Sequence, residues 1–122
     1  MGRNLRTSKL SEFKRDIGFY ENYFKDFYLK QSLLVRKKID WTLLILRSTR
    51  IVPEKFLKNL TNTDGLWELR ISAGNGIFRL FCFFDKGNLI ILLNGFQKKT
   101  QKTPKNEIKK AERLKKEYYE NT

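Results

Sequence analysis

The sequence contains no histidine, and it has only one cysteine and two prolines in 122 residues. Without an imidazole, proton transfer has to use carboxylates, lysine, tyrosine or water. A zinc site is disfavoured because histidine and cysteine are the ligands that zinc prefers. Cys82 has no second cysteine to pair with, which excludes an intrachain disulfide and fits a reducing compartment. We therefore expect a cytoplasmic protein with no metal and no other cofactor.

Long apolar runs are also missing. No run approaches the roughly 20 residues that a membrane-spanning helix needs. The basic N-terminus is not followed by the apolar stretch of a secretory signal. The length favours one domain with a modest core. We expect a single domain over residues 1–122, in which residues 1–12 form a flexible basic arm.

Acidic residues are scarce relative to basic ones. The chain has 13 Asp and Glu against 26 Lys and Arg, which gives a formal net charge of +13. So large an excess on one small domain favours a polyanionic partner. That partner is a nucleic acid, an acidic protein or an anionic membrane surface.

Three short apolar runs, each bounded by turn residues, predict a three-stranded antiparallel meander. Leu66–Ile71 alternates apolar and polar residues, as a strand with one buried face does. Ile77–Phe84 is apolar on both faces except at Arg79. A hairpin-type connection then leads into Leu89–Leu93.

The residues before the meander predict one strand and several helical turns. Phe13–Tyr20 is weakly typical of a first strand. Apolar residues in Tyr23–Arg47 recur at three- and four-residue steps, which predicts one long helix or a helix pair with a joint near Gln31-Ser32. Val52–Leu60 resembles a short helix with Pro53 at its first position.

A last helix is predicted to begin at Thr103-Pro104, with Thr103 as its cap, and to end near Glu120. The order of elements is strand, helices, three strands and helix. This order predicts an α+β domain, with a small antiparallel sheet made of the N-terminal strand and the meander. We expect the helices to pack on one face of that sheet.

Arg79 is unusual because a guanidinium on so apolar a strand costs desolvation unless it finds partners. Arg70 can reach the same face from the neighbouring strand if the register allows. The basic segment, Gln97–Lys105, follows the third strand and contains four lysines and no acid: Lys98, Lys99, Lys102 and Lys105. Phosphate is the ligand that suits such a set of cations.

Three stretches carry a resemblance to a known family. LWELR, an FRLF-type strand and the run LLNGFQKKTQKTP before EIKKAERLKKEYY resemble the RelE/ParE toxin superfamily, and within it the HigB-like, phage-derived branch. The resemblance covers about Phe13 to Tyr119 and is sharpest from Leu66 to Ala111. It implies a RelE-like fold and a small cytoplasmic toxin of a type II toxin–antitoxin system.

The resemblance also implies roles for individual residues. Arg79 matches the phosphate-binding arginine of the central strand, and Arg70 matches a basic residue of the preceding strand. Lys98 and Lys99 match the basic pair after the last strand. The chain departs from the family pattern at two positions: Glu68 stands where RelE itself often has a basic residue, and Asn94 stands where HigB-like chains often have histidine.

Each of these residues has an alternative interpretation. Arg79 either stabilises the charge on the scissile phosphate or forms an ion pair with Glu68. Glu68 acts as a base or, as we prefer, holds Arg70 or Arg79 in place. Asn94 orients the scissile group by hydrogen bonds. Lysines of the basic segment either bind phosphate or simply face solvent.

The leading hypothesis is an endoribonuclease that cleaves ribosome-bound mRNA by attack of a 2′-hydroxyl on the adjacent phosphate. One alternative is a non-catalytic toxin of the ParE type that blocks a large target such as DNA gyrase. Another is a plain nucleic-acid-binding protein. The resemblance implies three partners, namely the ribosome, mRNA and a cognate antitoxin with a helix-turn-helix fold encoded next to the toxin. No membrane partner is expected.

Overall fold

A computed structural model describes residues 13–121, and the predicted basic arm, residues 1–12, lies outside them. The described chain forms five strands and three helices. The strands are β1 (Asp16–Phe19), β2 (Leu57–Asn59), β3 (Trp67–Ala73), β4 (Gly76–Phe84) and β5 (Leu89–Lys98). The helices are α1 (Tyr23–Leu29), α2 (Leu33–Ser48) and α3 (Lys105–Glu120). The α+β class predicted from the order of elements is confirmed.

All five strands belong to one sheet in the order β1-β5-β4-β3-β2. The meander of β3, β4 and β5 is antiparallel, as predicted. The prediction of a wholly antiparallel sheet is wrong, because β1 pairs with β5 in parallel. Alternation of apolar residues predicts that a segment is extended, but it carries no information on the direction of the neighbouring strand.

The segment predicted as a short helix, Val52–Leu60, is a turn followed by β2. The N–H groups of Phe56 and Leu57 both donate to the carbonyl of Pro53, so one helical turn does form. The chain then becomes extended because Leu57 pairs with Leu69 on β3 and is buried in the core. Pairing with the sheet overrides the local helical signal here.

The helical region before the meander is a pair, with the break where the sequence indicated it. The side chain of Ser32 accepts a hydrogen bond of 3.3 Å from the N–H of Val35 and caps the start of α2. The other end of α2 is held by Arg15, which is 8% exposed and donates to the carbonyls of Leu46, Thr49 and Arg50. A guanidinium at the C-terminal end of a helix donates to the last carbonyls, which have no partner within the helix. Its positive charge also interacts favourably with the helix dipole.

The helices cover both faces of the sheet, so the prediction of helices on one face is wrong. The first face packs on α1 and α2 through one set of β4 and β5 residues, among them Phe78, Leu80, Ile90 and Leu92. The second face packs on α3 through the alternate set, among them Phe81, Phe83, Ile91 and Leu93. A central strand that is apolar on both sides needs a layer on each side to remove its side chains from water.

A β-bulge changes the alternation of β5. Leu80 pairs with Gly95 and Cys82 pairs with Leu92, so two residues of β5 lie opposite the single residue Phe81. Beyond the bulge Phe96 is the partner of Arg79, and its ring packs against Phe81 on the α3 face. β5 continues to Lys98, five residues past the predicted end of the third strand.

None of the described helices is long and apolar enough to cross a membrane.

The start of α3 differs from the prediction in one contact. Pro104 occupies the capping position, and no side chain caps the helix by a hydrogen bond. The hydroxyl of Thr103 instead donates to Oε2 of Glu68 on β3, at 3.3 Å. The side chain predicted as a helix cap therefore belongs to the candidate site.

Candidate functional site

Arg79 lies on the α3 face of β4 and is only 6% exposed. Its Nη1 donates to the carbonyl of Phe78 at 3.1 Å, and its Nε lies 3.5 Å from Oε1 of Glu68. That Nε has no hydrogen-bond partner among residues 13–121. Burial lowers the pKa of Arg79 from its ordinary value, and the negative charge of Glu68 acts in the opposite direction. Arginine remains protonated in proteins, so this is a buried cation with unused donor capacity.

Arg70 is the direct partner of Arg79 across the β3–β4 ladder. Its Nε lies 3.7 Å from the same oxygen of Glu68, and its side chain keeps 29% of its exposure. One carboxylate therefore lies between two guanidiniums and neutralises only one of them. The alternation of β3 put Glu68 and Arg70 on one face, and the register then placed Arg79 beside them. The expected approach of Arg70 to Arg79 is confirmed.

Glu68 is 3% exposed, and both of its oxygens have contacts. Oε1 faces the two guanidiniums, and Oε2 accepts from Thr103. A carboxylate with this many partners is held in one position. The geometry matches the interpretation in which Glu68 positions the arginines.

Lys98 adds a third cation at the end of β5, where it pairs with Ile77 of β4. Burial lowers the pKa of Lys98, the charge of Arg79 lowers it further, and Glu68 acts in the opposite direction. The β-bulge puts Lys98 on the same face as Arg79. We call Glu68, Arg70, Arg79 and Lys98 the cationic cluster; it contains three cations and one anion.

The other lysines of the basic segment lie outside this cluster. Lys99, Lys102 and Lys105 are exposed. Lys99 lines a shallow cavity of about 410 Å³ together with Lys98 and Ile77. Lys102 lies in the loop before α3, and Lys105 is the first residue of that helix. The structure thus places one lysine of the segment in the cluster and three on the surface around it.

Asn94 lies at the bulge and is 3% exposed. Its Nδ2 donates to the carboxylate of Glu107 at 3.1 Å and to the carbonyl of Glu107 at 3.4 Å. Its Oδ1 is buried and has no hydrogen-bond partner within the described chain. Asn94 therefore bonds to α3 rather than to the arginine pair.

Three residues that contact the candidate site residues were not predicted from the sequence, namely Thr103, Phe96 and Glu107. Thr103 carried a local helix-cap signal, and nothing local marks a contact with Glu68, 35 residues away. Phe96 lies inside the run GFQKK, but only the bulge turns it towards Arg79. Glu107 gives no sequence signal for its bond to Asn94.

Two other kinds of site find no support in the described residues. No group of three or more histidine, cysteine, aspartate or glutamate side chains is arranged to hold a metal ion between residues 13 and 121. Cys82 is fully buried on the other face, and burial raises the pKa of its thiol to about 12. A thiol with so high a pKa carries almost no thiolate at neutral pH and is not a nucleophile there.

The fold and the cationic cluster together define a small α+β protein with a preorganised, positively charged site on one sheet face. Residues 26–116 match the model of the family described as phage derived protein Gp49-like (DUF891). Because the match covers most of the 122 residues, the chain belongs to this family. The family is associated with RelE-like and toxin-like proteins. A search of the curated proteins found no match.

Proposed function

We propose that this protein is the toxin of a type II toxin–antitoxin system, in the HigB-like branch of the RelE/ParE superfamily. Its activity is cleavage of ribosome-bound mRNA. The observation that carries the proposal is the pair Arg70 and Arg79, held side by side by one buried carboxylate and bordered by Lys98. Such a site is complementary to a phosphate that gains negative charge.

The reaction is an intramolecular transfer within the RNA. The 2′-oxygen attacks the adjacent phosphorus, and the bond from phosphorus to the 5′-oxygen of the next nucleotide breaks. The proton of the 2′-hydroxyl leaves to a base, and the 5′-oxygen gains a proton. The products are a 2′,3′-cyclic phosphate and a 5′-hydroxyl end.

The residues of the cationic cluster divide this work. Arg79 and Arg70 stabilise the extra charge on the phosphate oxygens, and Glu68 keeps both guanidiniums in place. The pKa of Lys98 is lowered by burial and by the charge of Arg79, which makes Lys98 a better proton donor than an ordinary lysine. Lys99, Lys102 and Lys105 bind the flanking phosphates.

The proposed partners follow from the same charge distribution. The ribosome and mRNA are polyanions, and a net charge of +13 favours both. A cognate antitoxin with a helix-turn-helix fold, encoded next to the toxin, is expected to cover the cationic cluster with an acidic segment.

The test is induced expression followed by mapping of mRNA 5′ ends. New 5′-hydroxyl ends inside coding regions, found only when ribosomes translate the message, are expected. Growth arrest without new ends, accompanied by loss of DNA supercoiling, would replace the proposal with a gyrase-blocking toxin. Absence of arrest and of new ends would leave a plain nucleic-acid-binding protein.

A further inference from the structure

The side of α2 that faces solvent has the residue spacing of a helix-contact face. The inner seam, which packs on the sheet, consists of buried residues at steps of four, three and four: Val35, Ile39, Thr42 and Leu46. The outer seam has the same steps and consists of exposed residues: Leu33, Lys37, Asp40 and Leu44. Steps of four and three residues are those at which two helices contact each other in a coiled coil.

The outer seam lies within an exposed apolar surface. Leu33 and Leu44 are 67% and 59% exposed, and Phe19, Leu34 and Trp41 near them are exposed as well. A single exposed leucine is ordinary, but a group of large apolar side chains on one side of a small domain marks an interaction surface. A helix that is apolar on two opposite sides needs a second layer to remove its outer side from water.

A groove of about 550 Å³ lies between the C-terminal half of α2 and β1, which is an edge strand of the sheet. Its apolar lining comes from both elements, with Asp16, Asp40 and Arg47 adding charges of both signs: Ile17, Phe19, Leu43 and Leu44. Leu44 belongs both to this groove and to the outer seam. The groove is therefore placed to receive an apolar side chain from a helix that lies along α2.

The order of residues in the outer seam is complementary to itself. The seam has leucine at both ends and, between them, one lysine and one aspartate. If a second copy of α2 lies antiparallel, Leu33 of each copy faces Leu44 of the other, and Lys37 faces Asp40. Both pairs share one centre, between residues 38 and 39, so a single two-fold axis forms each pair twice. Leu33 of one copy then enters the groove beside Leu44 of the other.

We propose that the outer seam of α2 joins two copies of this chain in an antiparallel, two-fold symmetric dimer. Other occupants match the seam less well, because a nucleic acid would meet two leucines and a carboxylate, and an acidic protein would meet Asp40. A second copy gives every seam residue a partner of suitable chemistry. The proposal does not rest on the proposed function. The cationic cluster lies on the α3 face, so it stays open in both copies.

The contact is short, which places it among the weaker specific interfaces, and we expect a dissociation constant in the micromolar range. Two chains of net charge +13 also repel each other, so association should strengthen as salt rises. Binding to RNA depends on salt in the opposite direction.

The first experiment is sedimentation equilibrium of the full chain across the micromolar range at raised salt. The average mass should rise with concentration towards twice the 14.6 kDa of one chain. Leu44→Glu should weaken dimerisation about tenfold or more, because two leucine contacts are lost and two charges face apolar surface. Ile77→Glu is the matched control, since Ile77 is also exposed but lies on β4 beside Lys98 and Lys99. It should leave dimerisation unchanged.

Charge exchange separates a second copy from any other partner. Lys37→Asp and Asp40→Lys should each weaken dimerisation about fivefold, because each removes two ion pairs and brings like charges together. The double variant Lys37→Asp/Asp40→Lys restores both pairs and should recover the affinity. Asp40 also accepts from the hydroxyl of Tyr28, so Tyr28→Phe, which removes only that bond, is the control.

Cross-linking tests the antiparallel direction. A mixture of the Leu33→Cys and Leu44→Cys proteins should form disulfide-linked dimers on air oxidation, whereas neither protein alone should. Two copies of residue 33 would lie about 16 Å apart along the helices, at 1.5 Å per residue, and a disulfide needs Cα atoms within about 7 Å. Cys82 is buried and does not compete.

Each outcome supports or overturns the dimer. A monomer at every concentration overturns it, and so does a dimer that Leu44→Glu leaves intact. Cross-linking of Leu33→Cys with itself overturns the antiparallel arrangement. A monomeric chain whose cognate antitoxin binds less tightly to Leu44→Glu assigns the seam to the antitoxin and overturns the proposal. If Leu44→Glu fails to fold in urea unfolding, the charge exchange and the cross-linking decide. None of these results depends on whether the protein cleaves RNA.

Discussion

Replacement of Arg79 by methionine tests the cationic cluster most directly. Methionine keeps a long unbranched side chain on β4 and removes the charge. A unit charge about 4 Å from a phosphate, at an effective dielectric constant of about 20, contributes ~4 kcal/mol to its stabilisation. Loss of one preorganised donor at a developing oxyanion typically slows a reaction ~10²- to 10³-fold. We therefore expect Arg79→Met to lower the rate of mRNA cleavage by about two to three orders of magnitude.

The same substitution also lowers the stability of the fold, and the contacts that Glu68 keeps set the size of this loss. Glu68 loses a partner at 3.5 Å but keeps Arg70 at 3.7 Å and the hydroxyl of Thr103 at 3.3 Å. Its charge is therefore not left alone in the core, and we expect a loss of about 2 kcal/mol in the free energy of unfolding, less than for a fully orphaned buried charge. The double variant Glu68→Gln/Arg79→Met also takes the carboxylate partner away from Arg70. It should therefore recover neither the stability nor the activity.

The assay is cleavage of a defined mRNA on purified ribosomes, with urea unfolding of each variant in parallel. Arg113→Met is the matched control, because the side chain of Arg113 is 57% exposed and pairs with Glu117 one helical turn away. It should retain the wild-type rate. A folded Arg79→Met protein that cleaves as fast as the wild type would refute the role of Arg79 in charge stabilisation.

Four further predictions concern other parts of the chain. Replacing Lys98 and Lys99 by alanine should weaken the salt dependence of binding to single-stranded RNA. The slope of log affinity against log salt concentration should fall in magnitude by about 1.4, because each phosphate contact contributes roughly 0.7. An unchanged slope would mean that neither lysine contacts phosphate. Arg15→Met should lower the free energy of unfolding by about 3 kcal/mol, measured in urea, because three carbonyls at the end of α2 lose a charged donor; a loss under about 1 kcal/mol would contradict this. Since burial raises the pKa of Cys82 to about 12, its thiol should resist alkylation at pH 8 until the protein unfolds, and rapid labelling of the native protein would disprove its burial. Raised salt should slow association with the cognate antitoxin more than it speeds dissociation, and a salt-independent association rate would argue against an acidic contact segment.

The meander and the helix pair were predictable because their signals are local. Alternation of apolar residues and turn residues marked β3, β4 and the start of β5, and three- and four-residue steps marked α1 and α2. The charges in Glu68, Arg70 and Arg79 were equally visible, since a guanidinium on an apolar strand stands out by composition alone. The sequence by itself thus determined the α+β class and the cationic character of the central strands.

The rest depended on contacts between distant residues. Segment 57–59 became a strand because it pairs with the edge of β3, and the direction of β1 was set by its parallel pairing with β5. The bulge opposite Phe81 decided that Lys98 faces Arg79 and that Asn94 faces α3, and no local pattern specifies such an extra residue. The contact between Thr103 and Glu68 likewise joins residues that lie far apart in the chain. Periodicity reports which face of an element is buried, whereas register, strand direction and the choice of partner are settled only when the whole sheet packs.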